Sequence, residues 1–160
     1  MARLLMDETR SRAVEAIDNA LGSGAHLVLP SLTAMLIREV LLKFGLSLRV
    51  IACRAAISTN LGDQVVAKDK DHLVLVGDGL YFAPLLGRIA PGKTTDGKIP
   101  FAAGKFPSAH QSDAPFRVRS GDVHITFEPK EDQISWLYSP DLDPKRISPL
   151  VKKVIETIAA

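Results

Sequence analysis

Cysteine occurs once in these 160 residues, as Cys53. An intramolecular disulfide is therefore excluded, and so is any metal site built from several thiolates. Histidine is sparse as well: His26, His72, His110 and His124 are scattered, without the i, i+4 spacing of a helical zinc motif. Neither sign of charge is in large excess. The formal net charge is +2 and no run of Lys and Arg reaches five, so electrostatics alone makes no case for nucleic acid. No apolar stretch approaches the roughly 18 residues of a membrane-spanning helix. Asp7 and Glu8 interrupt the N-terminus too early for a secretory signal. The expectation is a cytoplasmic protein with neither a membrane nor a nucleic-acid partner. Its length suits one domain, 1–160, with a real hydrophobic core.

What is present alternates between two periodicities. Residues 7–21 carry Ala13, Val14, Ile17 and Leu21 on one helical face, and Gly22-Ser-Gly24 stops the pattern. Ser31 then reads as an N-cap for a helix over 31–44, with Gly45 just past its end. Leu32, Ala34, Met35, Leu36, Ile37, Val40, Leu41 and Leu42 make that helix apolar nearly all round, so a buried central position is expected. Strands are expected at 48–59, at 64–66 and at 72–76, and Asp78-Gly79 signals a hairpin into Leu80-Tyr81-Phe82. Regularity fails from Pro84 to Pro115, a long irregular loop of the kind that is usually functional. A meander of strands at 116–119, 123–127 and 134–138 follows, and then a helix from about Pro149 capped by Ser148. Helices, strands, then a helix give an α+β domain, a buried central helix on an antiparallel sheet.

Two local patterns are weighed first. Gly87 to Thr94 matches the phosphate-binding loop G-x-x-x-x-G-K-[ST]. That loop needs a strand before it and a helix after it, and Gly97 and Pro100 forbid the helix, so a flexible basic loop is preferred. Cys53 lies mid-strand between Ala52 and Arg54, where a buried structural thiol is the ordinary identity.

A third pattern spans residues 27–86. Ala34, Gly45 and Arg49 precede a strand His72-Leu-Val-Leu-Val76 and the turn Asp78-Gly79-Leu80-Tyr81-Phe82. This order and spacing resembles the transglutaminase-like core shared with the arylamine N-acetyltransferases, within the broad papain-like group of thiol enzymes. The resemblance implies a nucleophile at the start of the buried helix, a histidine opening a strand and an acid in the hairpin partner. The nucleophile position falls on Pro30 and the acid position on or beside Pro84, so only His72 of the implied triad is present. The leading expectation is a degenerate, non-catalytic member acting in binding or regulation on a small molecule or a protein, with residues 84–115 as a contact surface. The alternative is an active acyltransferase or amidase with Ser31 as nucleophile, His72 as base and Asp71 or Asp78 orienting it, and acetyl-CoA as a cofactor only through the acetyltransferase resemblance. A second alternative is a structural or assembly protein, including a homo-oligomer.

Overall fold

The computed structural model describes residues 2–22, 29–59, 65–77, 79–86, 89, 102–105, 114–120, 123–140 and 142–159. Along the chain come α1 (Ala2–Leu21), α2 (Pro30–Lys43), β1 (Arg49–Thr59), β2 (Val65–Gly77), β3 (Leu80–Ala83), β4 (Ala102–Lys105), β5 (Phe116–Ser120), β6 (Val123–Pro129) and α3 (Pro144–Ala159). A 3-10 turn, Ser135–Tyr138, precedes α3. The fold is α+β, with one curled antiparallel sheet in the order β4-β3-β2-β1-β6-β5. No helix among the described residues is long and apolar enough to cross a membrane.

α2 begins one residue earlier than its sequence suggests. Pro30 takes the first helical position, where its fixed φ is favourable and its missing N–H is no loss. Leu29 is the cap residue and makes no side-chain cap bond, so the reading of Ser31 as the N-cap is corrected: Ser31 lies inside the first turn and is buried. The other end is a Schellman closure. Leu46 N–H bonds to Leu41 O (2.9 Å) and Gly45 N–H to Leu42 O (3.0 Å), with Gly45 at φ +86° where a side chain would be strained.

The sheet separates two apolar clusters. On one face α2 lays Leu36, Ile37, Val40 and Leu41 against Leu48, Leu75 and Phe82, with α1 and α3 completing the layer through Ala13, Ile17, Val151 and Val154. On the other face Ile51, Cys53, Ala55, Ile57, Val74, Val76, Tyr81, Phe116, Val118, Ile125 and Phe127 pack together. Among the described residues no side chain of α1, α2 or α3 enters this second cluster, and the sheet curls over itself there. That face is concave, and the helix-bearing face is convex.

Several expected boundaries move. The strands read at 64–66 and 72–76 are one strand, β2. Residues 134–138 are not a strand: Asp132 Oδ1 accepts the N–H groups of Ile134 (3.0 Å) and Ser135 (2.9 Å) and winds the chain into the 3-10 turn instead. α3 starts at Pro144, not near Pro149, because the Asp143 carboxylate accepts the Lys145 N–H (3.0 Å) and caps the helix one turn earlier. Ala102–Lys105, within the segment read as irregular, pairs with β3 as β4.

Candidate functional site

The start of α2 opens on a cavity of about 270 Å³. Pro30 and Ser31 form its floor, Ala52 and Leu73 its strand wall, and the 130–139 segment the far wall through Lys130, Asp132, Ser135, Trp136 and Ser139. The far wall is tied down by one amide. Gln133 Oε1 accepts the Ala52 N–H (2.9 Å), while its Nε2 donates to Ala52 O (2.8 Å) and Lys130 O (2.6 Å). Gln133 thus imitates one residue of an added strand beside β1. Trp136 donates its indole N–H to Gln133 O (3.0 Å), which sets the ring against Ala34, Ala52, Leu73 and Leu85. Ser31 and Ser139 share a hydroxyl–hydroxyl bond of 2.9 Å, linking the helix start to the far wall.

The electrostatics of the cavity are mixed. Lys130 Nζ donates to Asp71 at its rim. Asp132 is held at about 2, first by the Ser135 hydroxyl and then by the backbone N–H groups of Ser135 and Ile134, so it is ionised at any physiological pH. The positive end of the α2 dipole adds partial charge at the floor.

His72 borders this cavity from β2, but its ring points the other way. Leu73 and Leu75 face the helices, whereas Val74 and Val76 face the concave cluster, and alternation assigns His72 to the concave side with them. Cys53, its partner across the β1–β2 ladder, lies there too, and Phe127 stacks on the imidazole at 5.8 Å. The ring is fully buried. Nδ1 meets Asp69 Oδ2 at 2.8 Å, and Nε2 has no hydrogen-bond partner among the described residues. A carboxylate only accepts, so Nδ1 carries the proton and Nε2 is left with a lone pair in the neutral ring.

Asp69 could not have been picked from alternation. Residues i and i+3 of a regular strand point to opposite faces. Between the pairs Cys53↔His72 and Ala55↔Asp69, β2 advances three residues while β1 advances two. This bulge at Lys70 and Asp71 reverses the phase of β2 and brings Asp69 to the face of His72.

Of the residues singled out in the sequence, Ser31 and His72 border the same cavity, but the imidazole ring is turned away from the hydroxyl. Asp71 pairs with Lys130 and not with the imidazole, and Asp69 takes the orienting place. Asp78 lies outside the described residues, as does Gly87 to Thr94 apart from Ile89. Pro84 is buried just after β3. Cys53 is fully buried, and burial first, then the nearby Asp69 charge, pushes its thiol up to about 12, as a structural cysteine requires. Gln133, Trp136 and Ser139 were missed because their positions depend on the fold-back of 130–139, which no local pattern announces. Comparison with protein-family models, with curated proteins and with solved structures gave no match for this chain.

Proposed function

We propose that this chain is a non-catalytic domain on a transglutaminase-like plan, whose helix-start cavity binds a small molecule bearing a carboxylate or acyl group. The observation that carries the proposal is the state of the helix start. Pro30 offers no nucleophile, Ser31 is engaged by Ser139, and the one imidazole nearby turns its ring to the opposite face of the sheet. General-base catalysis needs the base within hydrogen-bond reach of the nucleophile, and that contact is missing. What remains suits recognition: Trp136, Leu73 and Ala52 for an apolar body, and hydroxyls and the positive end of the α2 dipole for a polar head, with Lys130 shared between that head and Asp71. A volume near 270 Å³ limits the occupant to a small molecule.

The chain has a single tryptophan, so its fluorescence reports on the cavity without labelling. Titration with acetate, hexanoate and N-acetylglycine should give a saturable change for at least one probe, and Ser31→Val, which fills the floor, should abolish it. Absence of any change at millimolar concentrations would sink the proposal. The acyl-transfer alternative has its own signature: hydrolysis of p-nitrophenyl acetate that is lost in both Ser31→Ala and His72→Ala.

A further inference from the structure

β6 stops pairing with β1 at Pro129, opposite Cys53. β1 begins four residues earlier, at Arg49, so Arg49, Val50 and Ile51 have no strand on that side among the described residues. The ladder tells which main-chain groups are left there. Lys130 N–H bonds to Ala52 O at 3.0 Å, so Ala52 turns its N–H and C=O toward the β6 side. Hydrogen-bonding direction alternates along a strand. Val50 therefore turns both of its groups the same way, while Arg49, Ile51 and Cys53 turn theirs toward Val76, Val74 and His72 of β2. Pro129 agrees with this phase: it lacks an N–H and faces Cys53, where none is required. The Gln133 amide satisfies Ala52 and no residue before it. Val50 is left presenting a donor and an acceptor on the side of a cavity of about 470 Å³ that it lines, walled by Pro129, Lys130, Glu131 and Gln133.

A donor and an acceptor presented together on one strand residue are what a further strand pairs with. The chain already shows the fit at the neighbouring place, where the planar amide of Gln133 stands in for a strand residue beside Ala52. The open place continues that line, two residues or about 7 Å further along. One amide would fill it and leave the remainder of the cavity empty, whereas an extended chain also runs past Arg49. Charge selects further. Alternation sets Arg49 on the concave side with Ile51, where it is exposed and makes no ion pair or hydrogen bond among the described residues. Lys130 is engaged by Asp71, and Glu131 is exposed, so the lining favours one acid near Arg49 and opposes a run of them. We propose that a partner protein adds a short extended segment here in line with β6, its main chain paired with Val50 and one acidic side chain set across from Arg49. Lys130 is common to this cavity and to the one at the helix start, but the proposal does not depend on what the latter binds.

The probe is an acetylated and amidated pentapeptide, Thr-Val-Glu-Val-Thr, followed by two-dimensional NMR and amide hydrogen exchange on the full chain. Two further peptides leave the protein untouched: one with lysine in place of glutamate, and one N-methylated on both valines, which removes their main-chain donors. In the free chain the Val50 amide should exchange roughly tenfold or more faster than those of Ile51 and Ala52, which are bonded. The glutamate peptide should slow Val50 exchange saturably, and the N-methylated form should not. The lysine peptide, and the Arg49→Ala variant with the glutamate peptide, should each bind about threefold more weakly, the size of a cross-strand charge pair. A Val50 amide as protected as Ile51 in the free chain would overturn the proposal, since that edge would already be paired internally or with a second copy. Equal binding of the N-methylated peptide, equal binding of the lysine peptide, shifts that miss residues 49–51, or no binding at millimolar concentration would overturn it as well.

Discussion

Cys53 and His72 face each other across β1 and β2 in a region that excludes water, and each meets burial differently. The imidazole has Asp69 to hold its Nδ1 proton, whereas the thiol has only apolar surroundings and a nearby negative charge, which raise it to about 12. A thiol raised in the folded state is protonated there and ionised in the unfolded chain once the pH passes about 9. The folded state then binds more protons, so stability is full below pH 9 and falls from there toward pH 12, by up to about 1.4 kcal/mol per pH unit. Urea midpoints for wild type and Cys53→Ala between pH 8 and pH 10.5 should converge as the pH rises; parallel curves would show that the thiol stays protonated in both states. The structural role of Cys53 was legible from its place between Ala52 and Arg54 in an apolar strand. The partnership of His72 with Asp69 was not, because a bulge leaves no mark in a run such as Lys68-Asp69-Lys70-Asp71.

At the scale of elements, α2 was legible almost to the residue, since an all-round apolar pattern ending in Gly45 has few other solutions. Its start was displaced because Ser at N2 and Ser at N-cap look alike until the proline before them is given the first helical position. The 130–139 segment was misread: Ile134, Trp136 and Tyr138 alternate as in a strand, yet Ile134 and Tyr138 are exposed and only Trp136 turns inward. Its conformation comes from Gln133 and Asp132, whose bonds to main-chain groups outcompete sheet pairing. Gln133→Ala removes three such bonds and leaves the Ala52 N–H without that partner. The expected cost is about 1–3 kcal/mol in urea denaturation. A red shift of Trp136 emission should accompany it in the folded state, and an unchanged spectrum would mean that the wall is held by other contacts.

For the whole molecule, the two clusters sit back to back on strands they share, so neither can open without disturbing the other. Leu36→Ala in the helical layer and Phe127→Ala in the concave one should each lower stability, by about 2–5 and 3–5 kcal/mol. Both should keep a single transition with an unchanged denaturant slope. Two separate transitions in either variant would show that the layers unfold independently. The α+β class was legible from the order of helices and strands, because that order limits how the faces can be covered. The open place beside Val50 was hidden: it depends on Pro129, far along the chain, ending the pairing of β6 with β1.

The bulge in β2 also makes the strand's length a matter of parity. Lys70 and Asp71 together stand opposite Arg54, so one of them is surplus to the ladder. Deleting either would restore even alternation and leave His72, Asp69 and Ala67 on the concave face. Deleting both would set Asp69 directly before His72 and turn the first half of the strand inside out, with Lys68 pointing at the concave cluster. Residues 65–77 therefore accept the loss of one residue at this point but not of two, a constraint that falls on residue count and leaves the identity of Lys70 and Asp71 open.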